Sequence, residues 1–310
     1  MADIWDLKDG VYEKVISKDF DRKLTKALAD KEIWADREDV DAQEAVGYLS
    51  TYLEKLIRLC LKEIADENQD HCVKDELELT NELVEKLASR IANLGDGHDV
   101  TAEQFLLKSL EHRANKIARK KWEVPATSLV NSFLFTNSRN DVSMIHELNR
   151  EIMTCDRMDM LISFIRFSGL SLILPCLRRF TAGGGHLRVV TTTYMGATDP
   201  KAVKVLSELP NTEVRISYNV KETRLHAKSY MFYRNSGFST AYVGSSNFSR
   251  AAIADGMEWN MKVTEQDLPG IIAKMKATFD TYWHSDEFQP FDPSDYDRLS
   301  RAIDRERGRK

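Results

Sequence analysis

The spacing of apolar residues changes once along this chain, and the change limits the folds that the chain can adopt. Across residues 9–121 apolar side chains recur at three- and four-residue intervals, as in the run from Val46 to Cys60, which indicates amphipathic helices. Beyond about residue 140, short runs rich in β-branched and aromatic residues alternate with helical segments. We therefore expect an all-α N-terminal region followed by an α/β sheet flanked by helices.

The individual elements follow from the same spacing. After a turn at residues 95–98, residues 105–120 are predicted to form a helix with a basic end, and residues 126–140, which follow Pro125, are interpreted as a connecting segment. Further helices are predicted at 144–154, 170–180, 199–209 and 268–284, and strands at 159–165, 187–193, 214–218, 225–233, 240–244 and 258–264. A turn and a charged helical end are expected from residue 288 onward.

Composition excludes several classes of protein and site. No apolar run approaches the roughly 20 residues needed to span a bilayer, and the N-terminus lacks a basic-then-apolar signal, so we expect no membrane segment and a cytoplasmic protein. The cysteines form no C-x-x-C pair and no cluster with histidine, so we expect buried free thiols, no disulfide framework, no metal site and no cofactor. They are Cys60, Cys72, Cys155 and Cys176.

The net charge of −5 is distributed unevenly. Residues 1–100 carry 14 Lys+Arg against 25 Asp+Glu, residues 101–250 carry 21 against 12, and residues 251–310 carry 9 against 12. A basic middle is compatible with a phosphate-binding centre, because the local surface matters more than the total charge. Ordinary variation among solvated helix faces would also explain the pattern. Charge alone therefore does not distinguish a phosphate-binding centre from an ordinary surface.

Two short segments in the basic middle carry chemistry. On a strand, residues two apart share a face, so His226 and Lys228 are predicted to project together. The next predicted strand runs into a turn of small residues, where the backbone can approach a ligand and hydroxyl and amide groups can bind it. The turn consists of Gly244, Ser245, Ser246 and Asn247. Together the segments suit an oxyanion such as a phosphodiester.

These residues resemble the phospholipase D superfamily, whose signature is His-x-Lys followed by Gly-Ser-x-Asn. The longer signature has an Asp five positions after the Lys, where this chain has Tyr233. Some nuclease members of the superfamily also lack that Asp and carry a Glu after the Asn, and Glu258 stands where that Glu would be. The resemblance implies a phospholipase D-like mixed sheet and a carboxylate that holds the His ring.

Neighbouring segments extend the resemblance to the N-terminal nuclease module of bacterial restriction and phage-defence proteins that also carry a superfamily 2 helicase. The matching segments are 168–170, 193–199, 225–228, 244–249 and 258–260. The expected domains are an acidic helical region 1–125, a nuclease domain 126–290 and a charged helix or linker 291–310. The chain has no Gly-x-x-x-x-Gly-Lys-Ser/Thr loop, so the resemblance implies a helicase or ATPase partner elsewhere in the full-length protein or complex.

The resemblance further implies a metal-independent endonuclease, acting on nucleic acid and expected to act on DNA, with a covalent phosphohistidine intermediate. Catalysis is assigned to His226, Lys228, Asn247, Glu258 and Ser245, and substrate binding to Gly244, Ser246, Thr193 and Tyr194. A strand of high β-propensity would equally explain Thr193 and Tyr194. The mechanism needs two histidines and the chain offers one such motif, so an isologous homodimer with a shared site is expected.

The sequence is also compatible with other functions. A lipid-cleaving phospholipase or a tyrosyl-DNA phosphodiesterase would use the same chemistry, although the chain holds no second motif. A catalytically silent, dimeric DNA-binding or scaffold module of a helicase complex would account for Tyr233 and for the overall acidity. His186 and Arg188 mimic the first motif, but no Gly-Ser-x-Asn follows them, which favours a solvated strand start.

Overall fold

A computed structural model describes most of the chain. It covers residues 13, 15–29, 34–67, 73–90, 98–100, 106–110, 123–136, 138, 141–219, 225–245 and 258–308. Its internal contacts divide the chain into two compact units, with the division after Leu107.

The first unit is helical. Its helices are α1 (Lys18–Ala27), α2 (Ala45–Glu67) and α3 (Lys74–Ala88). The Ser17 side chain caps α1 by accepting a hydrogen bond from the Phe20 backbone amide at 3.2 Å. The expected all-α character is confirmed in these segments. The helix expected at 105–120 lies largely outside the described residues, and its described part, 106–110, has no regular structure.

The leucines of 106–110 explain why the helical spacing there does not produce a helix. Leu106, Leu107 and Leu110 are 75%, 78% and 81% exposed. A short helix in water is marginal unless its apolar face packs against other residues, and these side chains bury little surface.

The described residues of the second unit form one mixed sheet of eight strands in the order β1-β7-β6-β5-β2-β3-β4-β8. The strands are β1 (Phe133–Phe135), β2 (Arg157–Ile162), β3 (His186–Thr192), β4 (Thr212–Ser217), β5 (Lys228–Tyr233), β6 (Thr240–Gly244), β7 (Asn260–Thr264) and β8 (Phe288–Pro290). Strands β2, β3 and β4 are parallel, and every other pairing is antiparallel. The carboxyl ends of the parallel strands therefore lie beside the start of β5, the end of β6 and the start of β7.

Five helices of the described residues pack with this sheet. They are α4 (Met144–Thr154), α5 (Phe167–Ala182), α6 (Pro200–Ser207), α7 (Pro269–His284) and α8 (Tyr296–Arg307). One face of the sheet packs on α4, α5, α6 and α8 through residues such as Tyr230 and Phe232, and the other face packs on α7 through residues such as Met231 and Val263. This alternation along the strands is the period of two that β geometry imposes. The prediction of helices on a sheet is confirmed.

Two strands were missed. β1 lies in the segment interpreted as a connection, and β8 lies at the start of the expected turn. Each has three residues, and both occupy edges of the sheet, so each has a single neighbouring strand, β7 for β1 and β4 for β8. Three residues are too few for an alternating pattern to be distinguished from a loop.

The described cysteines are free, as expected, but they are not buried. Cys60 is exposed, and Cys155 and Cys176 are half-buried. Cys60 lies on α2, which has no buried residue, so its helical spacing did not translate into a buried face. Cys72 lies outside the described residues.

A charged cluster lies inside the second unit between α4 and β7. Lys262 is fully buried, with its Nζ 2.9 Å from a carboxylate oxygen of Glu151 and 3.3 Å from one of Glu147. The Arg234 guanidinium lies 2.5 Å from the other oxygen of Glu151. Burial alone would raise the pKa of Glu151, but Arg234 and Lys262 lower it below its ordinary value. These ion pairs join α4, the first helix of the α/β region, to strand β7.

No helix among the described residues combines the length and apolar character needed to cross a bilayer.

Candidate functional site

The segment that carries His226 and Lys228 lies at the middle of the sheet. β5 begins at Lys228, between β2 and β6. The carbonyl of Ala227 accepts hydrogen bonds from the amide and hydroxyl of Ser163, at 3.1 and 3.0 Å, which fixes the segment beside the end of β2. His226 is exposed and Lys228 is half-buried, with its Nζ donating to the His226 carbonyl at 2.8 Å. An imidazole and an ammonium group thus lie at one sheet end.

The second motif reaches the same end of the sheet from the neighbouring strand. β5 and β6 are antiparallel with Ser229 opposite Val243, so the start of β5 lies next to Gly244 at the end of β6. Gly244 in turn pairs with Asn260 at the start of β7. Of the predicted turn, Gly244 and Ser245 are described, while Ser246 and Asn247 lie outside the described residues.

Gly244 is needed because the backbone of β7 comes very close. A Cβ at position 244 would lie 2.3 Å from the Trp259 carbonyl oxygen and 2.4 Å from Oδ1 of Asn260. The Trp259 carbonyl is a backbone atom that moves only with the chain, so the spacing of the two strands at the site depends on a glycine here.

Glu258 lies beside the second motif. Its carboxylate accepts a hydrogen bond from the Ser245 hydroxyl, and the Ser245 amide donates to the Trp259 carbonyl at 3.2 Å. Within the described part of the chain, Glu258 has no hydrogen bond to the His226 ring. The carboxylate is therefore at the expected end of the sheet, but the hydroxyl of Ser245 engages it.

The ring of His226 is held by two aromatic residues. Its centroid lies 5.5 Å from that of Tyr194 at an interplanar angle of 63°, and 5.9 Å from that of Phe164 at 79°. These are edge-to-face contacts of the kind that orient aromatic rings. Thr193, next to Tyr194, is buried and donates to the Ser217 carbonyl at 3.3 Å, so it supports the loop and does not face the pocket described next.

A pocket of about 420 Å³ opens beside His226 and Lys228. Gly244 lies on its β6 side, and α7 contributes Ile271 and Lys274. Most of its remaining lining is apolar and comes both from strand residues such as Met231 and Val243 and from further residues of α7. The pocket therefore offers an imidazole and two ammonium groups at a mainly apolar wall, an arrangement that fits a phosphorylated ligand with a less polar portion.

Tyr233, which stands in place of the signature Asp, lies at the other end of β5. It lies five positions along the strand from Lys228, about 16 Å at the usual rise per residue. The Arg157 guanidinium covers its ring at 4.0 Å, and burial together with Asp159 raises the pKa of its phenol. The buried carboxylate at that end of the sheet belongs to Asp159, which pairs with Arg188. The residue at position 233 thus does not form part of the pocket.

Two contributions to the site were missed from the sequence. Phe164 follows β2, and Lys274 lies one turn into α7, and neither belongs to a recognisable motif. Only the pairing of β2 with β5 and the packing of α7 bring them to His226, and both depend on contacts between distant segments. In the described residues, no group of three or more His, Cys, Asp or Glu side chains is arranged to hold a metal ion.

Comparison with known proteins agrees with this architecture. Residues 148–283 match the family model described as cardiolipin synthase, phospholipase D-like domain. The match covers somewhat less than half of the chain and includes β2 to β7 with the first motif. It supports the phospholipase D superfamily for this part of the chain, and the expected phospholipase D-like fold with preceding helices is confirmed. No curated protein matches the chain in sequence.

Similar solved structures include two bacterial proteins of about half this chain's length. NucT from Helicobacter pylori is 16% identical, with 52% of this chain and 99% of that chain covered and a TM-score of 0.42. Nuc from Salmonella typhimurium, a phospholipase D family member, is 14% identical, with 52% and 97% covered and a TM-score of 0.40. Phosphatidylserine synthase from Haemophilus influenzae is 8% identical, with 56% and 45% covered and a TM-score of 0.38.

Proposed function

We propose that this chain is a metal-independent phosphodiesterase that cleaves nucleic acid, with DNA as the expected substrate, through a covalent phosphohistidine. One observation carries the proposal: the exposed imidazole of His226 and the ammonium of Lys228 lie together at a pocket, within the segment that matches a phospholipase D-like domain. This arrangement supplies a nucleophile and a positive charge where a phosphate would bind.

The reaction has two steps. A ring nitrogen of one His226 attacks phosphorus, forming a P–N bond as the bond from phosphorus to the leaving oxygen breaks, and a second imidazole donates a proton to that oxygen. The second imidazole then takes a proton from water, whose oxygen attacks phosphorus and breaks the P–N bond. Each step conserves charge and protons, and neither requires a metal ion.

The second imidazole comes from another copy of the chain. Of the described histidines, His226 alone lines the pocket, while His186 pairs with Glu213 at 3.1 Å and His284 contacts the Asp280 carbonyl at 2.7 Å. A two-fold dimer would bring two copies of His226 together by symmetry. The proposal therefore includes a homodimer with one shared site.

The other site residues take supporting roles. Lys228 and Asn247 would bind the non-bridging oxygens, and Gly244 and Ser246 would let the backbone approach the substrate. Glu258 and Ser245 are hydrogen-bonded to each other. When substrate binds, this hydrogen bond would break, so that the Ser245 hydroxyl binds a substrate oxygen and the Glu258 carboxylate binds the His226 ring. Tyr194, whose ring meets His226, would act from the pocket rim.

In the wider context, we propose that the chain acts as the nuclease module of a restriction or phage-defence system beside a helicase or ATPase. The support is the resemblance of residues 168–170, 193–199 and 244–249 to such modules. The corresponding domains are a helical region 1–125, the nuclease domain 126–290 and a charged segment 291–310. Lipid cleavage is the main alternative chemistry, because the matching family model is described as cardiolipin synthase.

The proposal is tested by incubating the purified chain with plasmid and single-stranded DNA in EDTA. We expect the wild type to cleave, and His226→Ala to lose activity by at least about 10³-fold because it lacks the nucleophile. His186→Ala is the matched control, since His186 also lies at a strand start but pairs with Glu213. It should cleave at the wild-type rate.

Each outcome has a defined meaning. Cleavage that requires Mg²⁺, or that survives His226→Ala, would contradict the mechanism. DNA binding without cleavage, by a preparation that includes its helicase partner, would instead favour a silent scaffold. Hydrolysis of phospholipid vesicles without DNA cleavage would show that the substrate is a lipid and not a nucleic acid.

A further inference from the structure

The C-terminal helix contacts the loop that holds the ring of His226. Helix α8 packs against the short 3-10 turn at Tyr194–Gly196, which follows β3. The Nε of Arg307 donates a hydrogen bond to the Gly196 carbonyl at 2.9 Å. Ile303, one turn earlier, is fully buried, so the helix is anchored where it meets the turn.

The turn adopts a conformation that needs support. Met195 has a φ of 60°, in the left-handed region that a non-glycine residue rarely adopts, and Gly196 has a φ of 59°. A Cβ at Gly196 would lie 2.6 Å from Cγ of Arg307 and 2.8 Å from the Ile303 carbonyl oxygen. A backbone of this kind persists only where surrounding contacts hold it, and α8 supplies such contacts.

The other end of the same turn contacts the proposed nucleophile. The amide of Tyr194 donates to the Thr192 hydroxyl at 3.1 Å, and the Tyr194 ring lies 5.5 Å from the His226 ring. The hydroxyl of Thr198 donates to the Thr192 carbonyl at 3.0 Å and closes the loop. A continuous set of contacts thus joins Arg307 to His226 through Gly196 and Tyr194.

We infer that Arg307 is a positioning residue: by fixing the 194–196 turn, it sets the orientation of the His226 ring through Tyr194. The consequence for catalysis rests on the proposed function of His226, whereas the consequence for ring orientation does not. Nothing in the two sequence motifs predicts this role, because Arg307 lies about 80 residues beyond His226 in the chain.

The orientation is measured by NMR on the full chain with labelled histidine rings. The ring current of Tyr194 shifts the carbon-bound ring protons of His226, whose signals are assigned by their loss in His226→Gln. We expect Arg307→Ala to move these signals in the same direction as Tyr194→Leu does. Arg305→Ala is the matched control, because Arg305 is an exposed arginine on the same helix. It should leave the His226 signals in place.

Activity gives a second readout. Because a small misplacement of a reacting group lowers kcat more than KM, we expect Arg307→Ala to lower kcat roughly tenfold with KM changed less than about twofold. Gly196→Ala disturbs the same contact from the loop side. In the double variant the two losses should therefore be far from additive.

The two readouts separate the inference from the proposed function. Unmoved His226 signals in Arg307→Ala, alongside moved signals in Tyr194→Leu, would overturn the inference. A wild-type chain that cleaves nothing would contradict the proposed function, while the NMR result would still decide the inference. Thermal unfolding confirms that the variants are folded, which is expected for Arg307→Ala because that side chain is 51% exposed.

Discussion

At Gly244 the strands β6 and β7 approach more closely than any side chain would permit. The nearest atoms are the Trp259 carbonyl oxygen, the side-chain Oδ1 of Asn260 and the Cα of Asn260, and the two backbone atoms cannot move away unless the chain at the start of β7 moves. A single hydrogen atom at position 244 therefore sets the spacing between the Gly-Ser turn and the segment just before β7, which carries Glu258.

We predict that Gly244→Ala lowers the free energy of unfolding by about 1–3 kcal/mol, because the added methyl group forces β6 and β7 apart. Gly270→Ala is the control, since a Cβ there has no atom within 4 Å. Denaturant unfolding should show the control unchanged or slightly more stable. Equal effects at the two positions would show that the strand spacing tolerates a methyl group.

At the level of single residues, the sequence predicted part of the site. His226 and Lys228 were found because the His-x-Lys spacing is a local property of the sequence, although strand β5 begins only at Lys228. The hydrogen bond between Glu258 and Ser245 and the contacts of Phe164 and Tyr194 with His226 were not, because they depend on which strands become neighbours. The predicted function of Glu258 as a support for the His226 ring stays a prediction.

At the scale of elements, the buried charges join α4 to the sheet. Glu151 on α4 accepts hydrogen bonds from the hydroxyls of Tyr242 and Thr240 as well as from Arg234. Removal of one member of such a cluster leaves an opposite charge without compensation in a dry interior. These contacts make the α4 junction sensitive to both substitution and pH.

We predict that Lys262→Met lowers the free energy of unfolding by about 3–5 kcal/mol at pH 7. The pKa of Glu151 is lowered in the folded chain, so its contribution to stability is present above its ordinary value of 4.5 and is lost as the pH falls below it. Protonation of the carboxylate also removes the uncompensated charge in the variant. The difference between wild type and variant should therefore shrink as the pH is lowered from 7 to 4.

Urea unfolding at several pH values measures both effects. Lys276→Met, on the exposed surface of α7, removes the same charge without opening the cluster and should change stability by no more than about 0.5 kcal/mol. A Lys262→Met difference that is small at pH 7, or constant with pH, would show that the cluster contributes little.

The elements themselves were predictable where their own residues carry the signal. α4 begins and ends at the predicted residues, because its Ser143 N-cap position and its apolar spacing are both local signals. Strands β1 and β8 escaped prediction because pairing with a distant strand, and not their own composition, makes them strands. The leucines at 106–110 show the converse, a helical pattern whose apolar side chains are largely exposed.

At the scale of the whole molecule, the proposed site requires two chains, and this can be tested by mixing subunits. If both copies of His226 are needed, a mixed dimer of wild type and His226→Ala is inactive. Equal co-expression should then leave about one quarter of the wild-type activity per dimer, because one quarter of randomly formed dimers carry two wild-type chains. Independent sites would leave one half.

Tagged heterodimers purified from the mixture give the same answer directly. The proposal expects no cleavage by a dimer with one His226→Ala chain, whereas half activity would show that each chain acts alone. Sedimentation under assay conditions accompanies the measurement, and an active monomer would contradict the shared site.

The sheet consists of six longer inner strands and two very short edge strands, which form its margins. β1 and β8 each offer three residues to an approaching chain, and β8 ends in Pro290, which has no amide hydrogen to donate. Exposed margins of a sheet are where proteins recruit foreign strands and polymerise, and short, proline-bearing margins oppose this. At the high local concentrations of a crowded cell, this domain should resist fibril growth through its sheet margins, so that association between copies is left to its other surfaces.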